Sequence, residues 1–130
     1  MDPTFLTLDE VISIHKDMVE QYGGSAGIRD QGLLESAVAM PQAGFGDQYL
    51  HSTIFEMAAA YLFHIVKNHP FIDGNKRTGA MAAFIFLKLN NLTLNAEEVE
   101  FERIVREVAE GKTGKERIAE FFHKNSRKHR

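Results

Sequence analysis

The sequence predicts an all-α protein, a compact bundle of about six helices around a central buried helix. Three observations carry this expectation. Apolar residues recur every three or four positions in six successive segments, which places them along one side of a helix. Start and stop signals punctuate these segments: Thr7 with Glu10, Thr53 with Glu56, the pair Gly23-Gly24, and Pro41. The run Ala80-Met81-Ala82-Ala83-Phe84-Ile85-Phe86-Leu87 is apolar on nearly every side, as suits a helix in the middle of a bundle.

Taken in order, Thr7-Leu8-Asp9-Glu10 has the form of a capping box. Leu8, Val11, Ile12, His15, Met18, Val19 and Tyr22 follow at helical spacing until Gly23-Gly24 stops the helix. His15 falls on the apolar stripe and is expected to be packed and hydrogen-bonded rather than a ligand. Asp30 opens a short second helix bearing Leu33, Leu34, Ala37 and Val38. Pro41 ends it, because the residue before a proline is pushed out of the helical region. Residues 41–50 show no periodicity. Gly44 and Gly46 flank Phe45, with Tyr49 close behind, and the segment is equally compatible with aromatics tucked into the core and with an exposed recognition loop. Ser52 or Thr53 begins a third helix, whose stripe is Ile54, Met57, Ala58, Tyr61, Leu62, Ile65 and Val66. The fourth runs from about Asn75 to Leu89, with Asp73 or Asn75 as its cap. Asn91 to Leu94 is a connector, and Asn95-Ala96-Glu97-Glu98 caps a fifth helix with Val99, Ile104, Val105 and Val108 that ends near Gly111. Thr113-Gly114-Lys115-Glu116 opens a sixth with Ile118, Ala119, Phe121 and Phe122, and the basic tail from Lys124 to Arg130 is expected to fray.

Residues 1–130 carry no repeat or linker and are expected to form one domain. A net charge of −3 gives no general attraction to nucleic acid or to an anionic membrane. Without cysteine there is no disulfide framework, thiolate metal site or cysteine nucleophile. The start lacks a signal-peptide pattern, and the longest apolar run is far below the roughly 20 residues that span a bilayer. A cytoplasmic protein without membrane or direct nucleic-acid contacts is expected.

The chemistry concentrates in His69-Pro70-Phe71-Ile72-Asp73-Gly74-Asn75-Lys76-Arg77-Thr78. Lys76 and Arg77 fall in the first turn of the fourth helix, where the helix dipole places about half a positive charge and acids are favoured. Two cations beside unsatisfied backbone N–H groups make sense around an anion. Gly74 lets the backbone approach a phosphate closely. Asp73 can hold a divalent metal that bridges phosphates. His69 can move a proton near neutral pH. Of Phe71 and Ile72, at least one is expected to turn inward and pin the loop.

His69 to Arg77 resembles the signature of the Fic/Doc superfamily, His-x-Phe-x-Asp/Glu-Gly/Ala-Asn-Gly/Lys-Arg. The resemblance extends to Gln21-Tyr22-Gly23-Gly24, to Gly27-Ile28-Arg29-Asp30 and to Gly32-Leu33-Leu34-Glu35-Ser36-Ala37, which are similar to the N-terminal part of Doc toxins, and it covers nearly the whole chain. It implies a small all-helical protein that transfers part of a nucleotide to a hydroxyl of a target protein. Fic adenylyltransferases usually carry a glycine where this chain has Lys76, and an arginine where it has Ala80. Both departures resemble Doc, in which the nucleotide is reversed and the γ-phosphoryl group moves. Gly74 instead matches Fic, where some Doc proteins have alanine.

The resemblance thus implies a Doc-type (death on curing) toxin of a toxin–antitoxin module. It would be a protein kinase using ATP and Mg²⁺ on a threonine of elongation factor Tu, and so would inhibit translation. His69 would be the general base, Asp73 the metal ligand, Gly74, Asn75, Lys76 and Arg77 the phosphate-binding group, and Phe71 the anchor of the motif. Phe45 and Tyr49 lie where Fic-type proteins carry a flap that holds the target as an added strand. The family's inhibitory pattern, Ser/Thr-x-x-x-Glu-Gly/Asn, is missing. Arg106 precedes Glu110-Gly111, and Met57 follows Ser52 and Glu56. A separate Phd-like antitoxin, with a tail that folds on binding, is therefore expected. Two alternatives stay open: adenylylation of a protein hydroxyl, and a non-catalytic adaptor that binds a nucleotide or a partner.

Other signals are weaker. Gly111-Lys112-Thr113 echoes the end of a P-loop, but Arg106 stands where a glycine is required. His64, His69 and Asp73 lack the histidine spacing of a helical zinc site. The basic tail has no interleaved aromatics to suit nucleic acid.

Overall fold

Thr7 and Glu10 form their capping box in the computed structural model, which describes residues 2–129. The Thr7 hydroxyl accepts from the Glu10 N–H, and the Glu10 carboxylate accepts from the Thr7 N–H. Helix α1 (Leu8–Tyr22) follows, stopped by Gly23 at φ +83°. Asp30 caps α2 (Gln31–Ala39) by accepting from Leu33 N–H at 2.9 Å. Pro41 then enters a single 3₁₀ turn, Met40–Gln42, before the chain leaves the helical region. Thr53 caps α3 (Ile54–Asn68). α4 (Asn75–Leu89), α5 (Glu98–Ala109) and α6 (Lys115–Asn125) complete the helices among the described residues. None of them is long and apolar enough to cross a membrane.

The centre of the bundle is α3. It packs against α2, α4, α5 and α6 and buries Met57 through Leu62 together with Ile65 and Val66. Three alanines in succession, Ala58 to Ala60, put small side chains around that part of the helix and let its neighbours come close. The expectation that α4 is central needs correction. α4 packs on α1, α3 and α5 and buries Ala82, Ala83, Phe86 and Leu87, but leaves Ala80, Met81, Phe84 and Ile85 only partly covered. Its apolarity serves two surfaces, a core face and the wall of a cleft. Gly79 is where α3 and α4 meet: a Cβ there would lie 2.9 Å from Val66 Cγ2 and 3.2 Å from the Leu62 carbonyl oxygen. Each fully buried Leu, Ile or Phe of this core contributes about 1.5–3 kcal/mol of transfer free energy.

Two small antiparallel pairs were not anticipated. β1 (Gly44–Phe45) and β2 (Gln48–Tyr49) form a hairpin turning at Gly46, φ +63°. β3 (Leu92–Leu94) pairs with β4 (Ser126–Lys128), Leu92 opposite Lys128 and Leu94 opposite Ser126. The expected connector is thus a strand, and the expected frayed tail is its partner, with His129 N–H donating to the Asn91 carbonyl. A backbone ladder needs few apolar side chains, so composition gave no warning. Arg130 lies outside the described residues. The expected cap in Asn95 to Glu98 also fails: Glu97 precedes α5 without a side-chain cap bond, and Val99 points outward. Gly114 likewise opens α6 without one.

Lys115, in the first turn of α6, donates to His51 Nε2 at 3.2 Å and to His64 Nε2 at 3.1 Å, which ties α6 to α3 and to the base of the hairpin. Both imidazoles must be neutral to accept. Burial, then the Lys115 charge, pushes His64 down to about 4, and the same causes lower His51. These folded-state values lie below the ordinary value of 6.5, so the unfolded chain binds more protons at mildly acid pH. The stabilisation is complete above about pH 6.5 and is lost as pH falls from there toward about 4. Thermal melts across that window are expected to fall more steeply for the wild type than for a His64→Gln variant. Parallel curves would mean the pair does not titrate in this way.

Candidate active site

His69 ends α3 in the left-handed conformation, φ 51° and ψ 52°, which is uncommon for a residue with a side chain. Arg29 holds this end. Its Nε donates to the His69 carbonyl at 2.6 Å and its Nη2 to the Asn68 carbonyl at 3.0 Å, a cation at the negative end of a helix. The backbone adds further ties: Arg29 and Asp30 N–H donate to the Pro70 carbonyl, and Ile72 N–H to the Gly27 carbonyl. Phe71 is fully buried and Ile72 half exposed. The Phe71 ring stacks on His15 at 3.8 Å between centroids, the planes 5° apart. His15 Nε2 lies 2.8 Å from the Asp73 carbonyl oxygen; a carbonyl only accepts, so His15 carries its proton on Nε2.

Asn75 is buried and its side chain is fully engaged. Oδ1 accepts from Phe71 N–H at 3.0 Å, and Nδ2 donates to the Phe71 carbonyl at 3.0 Å and to His69 Nδ1 at 2.8 Å. The Phe71 backbone dictates the amide orientation, so the atom facing His69 is a donor. Neutral His69 therefore holds its proton on Nε2. The Asn75 side chain clamps the loop, and only its backbone N–H remains to meet an anion.

The expected side-chain cap on α4 is absent. Gly74 occupies the cap position at φ +78°, which only glycine adopts without strain. Asp73 turns its carboxylate elsewhere: Oδ1 accepts from Gly74 N–H at 2.9 Å and Oδ2 from Ser25 N–H at 3.3 Å. The backbone N–H groups of Asn75, Lys76 and Arg77 meet no acceptor among the described residues. Lys76 and Arg77 are exposed and form no ion pair there. These three N–H groups and two cations make a strongly anion-seeking helix end.

His69, Asp73, Gly74, Asn75, Lys76 and Arg77 all line one cleft of about 1030 Å³ that continues between α4 and α5 past Met81, Phe84, Phe101 and Val105. That volume suits a nucleotide-sized ligand. No group of three or more His, Cys, Asp or Glu side chains gathers anywhere among the described residues. A metal at Asp73 would take one protein carboxylate and its remaining ligands from water and phosphate, which is how Mg²⁺ is usually bound. Phe45 and Tyr49 stand apart from this cleft on the hairpin. Phe45 is 93% exposed, and Tyr49, 40% exposed, packs edge-on against Phe5 at 5.6 Å, so neither aromatic is buried in the core. Arg29, Ser25 and the bond from His15 to Asp73 carry no signal in local spacing, because their partners lie 39 to 58 residues away.

A helical bundle with this loop and helix end has the form of a Fic fold, and the chain belongs to the Fic/DOC family, whose model matches residues 5–87. Among curated proteins it is 42% identical over 76 residues to the "Toxin Doc" of Mycolicibacterium smegmatis, a match covering 58% of each chain. It is 33% identical over 84 residues to the "Protein kinase doc" of Escherichia phage P1, covering 65% of this chain and 66% of that one. Both matches span less than two thirds of the relative's length.

Proposed function

We propose that this chain is a Doc-type toxin that transfers the γ-phosphoryl group of ATP to a threonine hydroxyl of elongation factor Tu in the cytoplasm, so stopping translation. The observation that carries this is the α4 N-terminus, where three unsatisfied N–H groups and two unpaired cations face a cleft that also holds His69 and Asp73. The relative named a protein kinase supports the direction of transfer, and Lys76 with Ala80 supports it from the motif.

In this reading Gly74 and the N–H groups of Asn75, Lys76 and Arg77 cradle the phosphates, and the two side chains neutralise their charge. Mg²⁺, held through Asp73, would screen the phosphate oxygens. The threonine oxygen bonds to the γ-phosphorus, the bond from that phosphorus to the bridging oxygen breaks, and ADP leaves. His69 takes the hydroxyl proton. The lone pair of neutral His69 is at Nδ1, where Asn75 holds it, so the exposed ring has to leave that bond to accept the proton. Positioning and charge stabilisation make up most of what phosphoryl transfer needs. A Phd-like antitoxin supplies the inhibition that the chain's own sequence lacks.

The test uses cell extract with ATP labelled at the α or the γ position. Wild type is expected to transfer the γ label alone. Lys76→Gly is expected to lose that transfer, with at most a weak gain of α label, because Ala80 stands where adenylyltransferases have an arginine. An α label from wild type would make the chain an adenylyltransferase, and nucleotide binding without any transfer would make it an adaptor.

A further inference from the structure

We propose that Tyr22 is a positioning residue of this site, holding the Arg77 guanidinium by the face of its ring. The inference rests on the phosphate-binding role given above to the start of α4, and extends that site to the end of α1.

The Arg77 guanidinium carbon lies 4.6 Å from the centroid of the Tyr22 ring. Tyr22 is 56% exposed, so its ring is not held there by core packing. It lines the same cleft as Arg77 and His69. An aromatic face suits this task better than a carboxylate would. It attracts the cation from the flat side and leaves the in-plane N–H groups free for two phosphate oxygens. A carboxylate would take those donors and cancel the charge.

The chain turns directly after Tyr22 and uses the same turn on Asp73, the carboxylate of the motif. Gly23 and Gly24, at φ +83° and +110°, carry the backbone back across Asp73, whose Oδ2 accepts from Ser25 N–H. A Cβ on Gly24 would lie 2.8 Å from that oxygen, so the turn is fitted closely against the carboxylate. One short stretch at the end of α1 therefore contacts both Asp73 and Arg77, and their separation follows from its geometry.

The test compares full-length wild type, Tyr22→Phe and Tyr22→Leu. One measurement is ATP affinity by calorimetry in the presence of Mg²⁺. The other is the NMR signal of Arg77 Nε–H without nucleotide, which a ring 4.6 Å away shifts. Tyr22→Leu is expected to lose that shift and to bind ATP about 2- to 5-fold more weakly. The loss should appear in the KM for ATP with kcat little changed. Tyr22→Phe, which keeps the ring, should match wild type in each measurement. An unchanged Arg77 signal and affinity in Tyr22→Leu would overturn the proposal, as would an equal loss in Tyr22→Phe. If wild type bound no ATP, the nucleotide reading would fall, and the Arg77 signal alone would then decide whether the ring holds the guanidinium.

Discussion

His69→Ala is expected to lower group transfer by about 10²–10⁴-fold, the usual contribution of a general base. The fold should survive. His69 is exposed, and its ring makes one hydrogen bond, to an Asn75 amide that keeps both of its bonds to Phe71. The backbone ties that hold the loop, from Arg29 to the carbonyls of Asn68 and His69 and from Arg29 and Asp30 to that of Pro70, do not involve the imidazole. Circular dichroism melts beside the γ-label assay check both halves. A folded variant that still transfers at the wild-type rate, or still arrests growth, would remove His69 from the role of base.

Phe71→Ala has the largest expected effect on stability, about 3–5 kcal/mol for a fully buried aromatic cut back to a methyl. The ring is completely enclosed and stacked on His15, whose Nε2–H holds the Asp73 carbonyl. Its removal opens a cavity and frees His15 together with the loop. Activity should therefore fall further than the folded fraction alone explains, because Asp73 and Gly74 lose their support. Urea denaturation gives the first quantity and label transfer per folded molecule the second. A loss below about 1 kcal/mol would mean that the ring does not anchor the motif.

These two residues illustrate different kinds of legibility. The position of the candidate site could be seen in one stretch of chain because its signals are local: a glycine before an apolar helix, inverted charge in the first turn, and an imidazole just ahead of them. How the site is assembled could not. The sequence suggested Asp73 or Asn75 as helix caps on good propensity grounds, yet both side chains are engaged elsewhere: Asn75 by the loop residues Phe71 and His69, four and six positions back, and Asp73 by its neighbour Gly74 and by Ser25, 48 positions away.

By itself the sequence determined the six helices and the starts of α1, α2 and α3, since capping bonds and apolar spacing act within about four residues along the chain. It also determined where charge of the wrong sign collects. The tertiary structure alone decided that α3 rather than α4 is the centre, that the tail pairs with β3, and that α1 meets the motif through His15 and Tyr22. The reason is physical. Apolarity shows that a surface is shielded from water but not whether a neighbouring helix or a cleft lies against it. A backbone ladder is indifferent to most side chains. The contacts of His15 and Tyr22 with the motif join residues more than fifty positions apart, beyond the reach of any local signal.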